Sequence, residues 1–106
     1  MIRLDGLPEA PLAAAAHFHA LVVPVLEAEN APVVTLVLPE ADHTHRAWRA
    51  AALGALARAL APARINAVAG GGPQAQARAI AFVEGAPGLT GQLLALDGGA
   101  GGEVLD

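Results

Sequence analysis

The run Val33 to Leu38 (VVTLVL) constrains this chain more than any other stretch. It is short, rich in β-branched residues and free of charge, and Pro39 stops it. A strand with one wet face alternates polar and apolar residues; a run without alternation reads as a strand covered on both faces. Such a strand needs neighbours on each side of a sheet and helices above and below it, which points to a layered α/β architecture.

The flanking segments supply those helices. Residues 9–29 carry Phe18, Val22, Val25 and Leu26 on one stripe at helical spacing, with Pro11 suited to the first turn. Pro24 inside the pattern predicts a kink, and Asn30 and Pro32 end it. After a polar stretch, 40–45, in which Asp42 or Thr44 serves as N-cap, residues 46–61 place Trp48, Ala52, Leu56 and Leu60 on one face with Leu53 beside it. Pro62 closes that helix. Residues 65–69 read as a second strand, Gly70, Gly71 and Gly72 as a loop, and Pro73 to about Glu84 as a third helix capped by Gly85. Leu93 to Leu96 is the third strand, and 98–106 reads as a mobile tail. Helices and strands thus alternate, which predicts a parallel sheet of about three strands with three helices in a single domain spanning 1–106.

Composition narrows the function classes. All six basic residues are arginines, scattered through a chain of net charge −4, so no basic stripe exists to neutralise phosphates and nucleic-acid binding is not expected. Without cysteine there is no thiol nucleophile and no Cys-type zinc site. The start, MIRLDGLPEA, does not read as a secretory leader, and Pro24 and Glu27 interrupt the longest apolar stretch, so the expectation is a cytoplasmic protein without a membrane partner. The chain is nonetheless 55% hydrophobic and 15% charged, an excess of apolar surface for a small domain that points to association.

Several segments resemble, in order and spacing, the C-terminal half of short-chain dehydrogenases/reductases, the ketoacyl-reductase-like ones especially. LVVPVL at 21–26 is similar to the family helix that ends in Leu-Pro. VVTLVL is similar to the strand leading to the catalytic serine, and AAALGALARALAP at 50–62 to the helix after the catalytic lysine. RINAVAGG at 64–71 resembles the Arg-Val-Asn-x-Val-x-Pro-Gly strand end, and PQAQARAIAFVEGAPGLTGQLLALDGG at 73–99 the closing Thr-Gly-x-x-x-x-Val-Asp-Gly-Gly segment. The resemblance implies an α/β fold class, a truncated Rossmann-like three-layer unit. It places the third helix on the face opposite the first two, through an unusual left-handed crossover, where the general handedness rule would put it on the same face.

The departures bear on chemistry. In the family a lysine lowers the pKa of a tyrosine four residues earlier, so that the phenol exchanges a proton with substrate at neutral pH. The aligned positions here are Arg46 and Ala50, the serine position falls near Leu38, and the chain has no tyrosine, lysine or serine anywhere. The glycine-rich turn that cradles a dinucleotide belongs to the family's other half, so no cofactor is expected to bind.

Candidate sites are few. Gly70, Gly71 and Gly72, between a strand and a helix, could hold a small anion on backbone N–H groups, or simply make a tight connection; no lysine accompanies them. GGAGG at 98–102 superficially matches a dinucleotide fingerprint, but no helix follows it. His17, His19, His43 and His45 with Asp42 raise a metal site, yet His17 and His19 point to different helix faces, and solvated or capping histidines are the simpler reading. Arg46 and Arg49 read as a solvated face, or as partners of Glu40 or Asp42 or of acids on a partner protein.

The resulting expectation is a catalytically inactive family member that assembles, with itself or with a full-length homologous reductase, as a structural or regulatory subunit. A homodimer without a reductase partner, and the scaffold half of a split reductase, are the alternatives. The resembled family uses the corresponding two helices for subunit contact, which here implies Ala16, Phe18, Ala20, Val23, Trp48, Ala51, Ala55 and Ala59 at the interface.

Overall fold

A computed structural model describes residues 1–96 of the chain. The chain runs β1 (Ile2–Arg3), α1 (Pro11–Glu29), β2 (Val33–Leu38), a 3₁₀ turn (His43–His45), α2 (Arg46–Leu60), β3 (Arg64–Ala69), α3 (Pro73–Glu84) and β4 (Leu93–Ala95). All strand pairs are parallel, in the order β1-β2-β3-β4. The sheet therefore has four strands, one more than the sequence pattern predicts. The additional strand is only two residues long, pairing Ile2 with Leu36 and Arg3 with Val37, too short for any periodicity to show.

Alternation along β2 and β3 sorts the core into two layers. Val34, Leu36 and Leu38, with Ile65, Ala67 and Ala69, pack against Phe18, Val22 and Leu26 of α1 and Ala52, Leu53 and Leu56 of α2. Val37 and Val68 point the other way, to Ala79 and Ile80 of α3. So α1 and α2 cover one face and α3 the other, as the resemblance implied. The chain keeps moving in one direction across the sheet while the covering helix changes face, so the β3–α3–β4 crossover has the opposite hand to the two before it.

Local chemistry explains the helix ends. Asn30 adopts a left-handed conformation (φ 49°) and returns its N–H to Leu26 O, and α2 stops at Leu60 because Ala61, before Pro62, cannot stay helical. The buried stripe of α1 is Ala14, Phe18, Val22 and Leu26; Val25, expected on that stripe, is exposed, since three residues from Val22 rotates it past the sheet. Pro24 does not end α1. Pro24 and Ala20, whose carbonyl loses its partner, both lie on the exposed side, where water can serve that oxygen. α1 is also long and apolar enough, by length and composition alone, to cross a membrane, which the reading from Pro24 and Glu27 did not anticipate; in the fold only the stripe through Phe18, Val22 and Leu26 packs against the rest of the chain.

Two polar residues of β3, the half-buried Arg64 and the buried Asn66, set the position of β4. Arg64 donates from Nη1 to the carbonyls of Val83 (3.1 Å) and Ala86 (2.7 Å) and from Nη2 to Glu84 O (2.8 Å). It thereby adds a donor to carbonyls at and just beyond the end of α3 and sets a positive charge at that helix's C-terminus. Asn66 donates to Leu89 O (3.0 Å) and accepts from Gln92 N (3.0 Å), pinning the turn that leads into β4.

Candidate functional site

The side chains with chemical capacity gather at the carboxyl end of β2 and β4. β2 ends at the buried Leu38, and the segment 40–45 leads into α2 through a 3₁₀ turn. Asp42 starts that turn, as expected: its carboxylate accepts from the Thr44 backbone N–H (2.9 Å) and from the Thr44 hydroxyl. The hydroxyl foremost, then the amide, hold the Asp42 carboxyl below the usual aspartate range, with the nearby His45 and His43 adding to the effect.

His45 is buried and fully engaged. The Trp48 indole, which can only donate, gives its Nε1–H to His45 Nδ1 (2.9 Å). The imidazole therefore carries its proton on Nε2 and donates it to Glu9 O (2.9 Å). Neither ring nitrogen is left for a metal. His17 and His19 lie exposed on α1, and His19 faces its own helix carbonyl at Ala15. Among the described residues no three such side chains converge as a ligand set.

Arg49 is where the sequence reading misses. Instead of standing in solvent it is 5% exposed. Its Nη1 donates to Pro39 O (3.0 Å), its guanidinium carbon lies 5.7 Å from the Trp48 ring centroid, and its Nε is buried without a hydrogen-bond partner. Burial pushes its pKa below the ordinary arginine range. Helical spacing did put Arg49 on the side of Ala52, Leu53 and Leu56, and that signal could have revealed it. Arg46, one turn earlier, is exposed. Beside these groups opens a cleft of about 300 Å³, with His43, Arg46 and Arg49 on one side and Ala69, Leu93 and Leu96 on the other.

The positions that the resemblance assigns to serine, tyrosine and lysine, near Leu38 and at Arg46 and Ala50, lie at the end of β2 and in the first turns of α2. Leu38 is buried, and Arg46 and Ala50 are exposed. Neither Leu38 nor Ala50 can exchange a proton, and an arginine is a poor acid at neutral pH.

The sequence model of the family described as short chain dehydrogenase-like protein matches residues 2–96. The chain belongs to that family. No curated protein and no solved structure matches it. For this short chain dehydrogenase-like protein the fold and the family agree, and the match begins at β1, the strand that the residue pattern does not reveal.

The remaining sequence candidates lie as follows. Ala16 and Ala20 on α1 and Ala51, Ala55 and Ala59 on α2 are exposed. Val23 and Trp48 are half-buried against the core, leaving part of each outside. Phe18 is corrected: at 1% exposure it lies inside the chain's own core, its ring 5.4 Å from Trp48 in an edge-on contact, and has no surface to offer a second subunit. Gly70 and Gly71 have φ of +75° and +77°, and a Cβ on either would come within 2.9 Å of Leu96. Gly70 N–H points to Leu38 O (3.4 Å), and the Gln76 side chain donates to Gly70 O (2.8 Å) and Gly71 O (3.3 Å). These glycines answer to backbone geometry and to the close approach of β4, and Gly72 caps α3. The tail 98–106, with GGAGG at 98–102, lies outside the described residues.

Proposed function

We propose that this short chain dehydrogenase-like protein is a non-catalytic subunit that assembles, through the outer faces of α1 and α2, with a homologous full-length reductase. The observation that carries the reading is that the chain has no serine, tyrosine or lysine, so that Leu38, Arg46 and Ala50 stand where the resemblance places the family's chemistry. The outer helix surfaces support it. Leu12 (88% exposed), Leu21 and Val25 leave α1 unusually apolar toward solvent, and the exposed Ala16, Ala20, Ala51, Ala55 and Ala59 are small enough for a second helix pair to approach closely.

The test is co-expression with the homologous reductase of the same genome, followed by measurement of the complex mass. Ala55→Glu sets a charge into the proposed seam. Burying it without a partner costs several kcal/mol, enough to weaken a complex on the order of a hundredfold or more. The expected result is a complex lost with Ala55→Glu and retained with Gln74→Glu at the exposed start of α3. A folded Ala55→Glu chain in a complex of unchanged mass and affinity overturns the reading.

A further inference from the structure

The open edge of β4 lies beside an apolar groove that none of the described residues fills. Among the described residues β4 pairs with β3 alone. Ala67 N donates to Gln92 O and Leu96 N to Ala69 O, so the even-numbered positions turn their backbone toward β3. Alternation then turns the N–H and C=O of Leu93 and Ala95 outward. Beside that edge, Ala75, Arg78, Ala79 and Phe82 of α3 with Leu94 and Leu96 line a groove of about 440 Å³. Phe82 is 62% exposed, and Leu94 and Leu96 are half-buried. A bare strand edge next to exposed apolar side chains is a surface that folded proteins cover.

The chain itself carries a segment that fits. Residues 97–106 continue directly from this edge: Asp97, then Gly-Gly-Ala-Gly-Gly, then Glu103, Val104, Leu105 and Asp106. A four-residue connection at 98–101 turns a strand back on itself, and glycines suit such a turn. That return sets Glu103 opposite Leu96, Val104 opposite Ala95 and Leu105 opposite Leu94. Opposed residues share a face of the sheet, so Glu103 and Leu105 join Leu94 and Leu96 on the α3 side, where those two leucines pack. α3 starts at the carboxyl end of the sheet and runs back along it, so Arg78 stands nearer that end than Phe82. Glu103 and Leu105 follow in the same order. Their spacing along a strand is about 7 Å, against about 6 Å between Arg78 and Phe82 along the helix. A single register therefore sets the acid toward the arginine and the leucine toward the phenylalanine.

We propose that residues 103–106 dock antiparallel on β4 as a further strand, with Leu105 against Phe82 and Leu94, Glu103 toward Arg78, and the backbone of Val104 paired with that of Ala95. The docked segment closes this edge to strands of other chains, and it does not depend on the α1–α2 assembly.

Amide hydrogen exchange of the full chain, followed residue by residue by NMR, tests this. The expected result is that Ala95 and Val104 exchange at least about tenfold more slowly than unprotected amides, at a rate independent of protein concentration. Leu105→Asp and, from the other side of the contact, Phe82→Ser are each expected to return both amides to near the unprotected rate. Val68 on the central β3 stays protected in both variants and reports that the fold is kept; Phe82, being exposed, is not needed for the core. An unprotected Ala95 in the unaltered chain overturns the proposal, as does protection unchanged in either variant. Protection that rises with concentration assigns the edge to a second copy of the chain and overturns it as well.

Discussion

Asn66→Leu tests how much of this fold hangs on one amide. Asn66 is 1% exposed, donates to Leu89 O and accepts from Gln92 N, both at 3.0 Å. Leucine has the same branched outline and number of side-chain heavy atoms, with bulkier ends, so the substitution leaves no cavity and removes the hydrogen bonds. Leu89 O keeps a weaker contact from Arg64 Nη1 at 3.3 Å, but Gln92 N–H loses its side-chain partner. Leaving that part-buried N–H without its partner costs about 1–2 kcal/mol, and the partial loss at Leu89 O adds about another 1 kcal/mol, giving roughly 2–3 kcal/mol. Total stability for a domain of this size is only about 5–15 kcal/mol, and about 1 kcal/mol shifts Tm by about 4–8 °C. Thermal melting followed by circular dichroism should therefore show a drop of roughly 10 °C or more. Gln92→Ala, which removes only an exposed side chain and a 3.3 Å contact to Thr90 O, should melt within a few degrees of the unaltered chain. An Asn66→Leu chain as stable as that control would refute the reasoning that the turn before β4 is pinned by side-chain hydrogen bonds.

Two further outcomes follow from geometry and charge. Gly70→Ala forces a Cβ to 2.9 Å from Leu96 O at φ +75° and should destabilise by about 1–3 kcal/mol, whereas Gly72→Ala, with open space around it, should be close to neutral; urea denaturation of the pair checks this. The Asp42 carboxyl has a folded-state pKa below its unfolded value, so its contribution is present above the unfolded pKa near 3.8 and is lost as pH falls through the folded value. Asp42→Asn should therefore show a shallower loss of stability on acidification below about pH 4 than the unaltered chain, and parallel curves would exclude the effect.

The sequence by itself determined the layers. The uncharged run at 33–38 needed cover on both faces, the prolines at 11, 62 and 73 and the caps at Asn30, Asp42 and Gly85 set the helix ends, and the missing tyrosine, lysine and serine were plain in the residue list. These are local properties, carried by neighbours within a turn or a strand. The tertiary structure alone decided the rest. β1 exists only because β2 offers it an edge, so two residues with no pattern of their own become a strand. Phe18, equally good as a core or a surface residue on a helix apolar on several sides, went inward because α1 leans on β2 and meets Trp48. Arg49 looked like a surface cation because charge normally is one; it is buried because Pro39 O and the Trp48 ring, ten residues and one residue away in sequence, converge on it where the sheet edge closes. Arg49 is thus trapped by near neighbours, but which side of a helix meets the sheet depends on contacts between segments far apart in the chain, and no window along the sequence contains those.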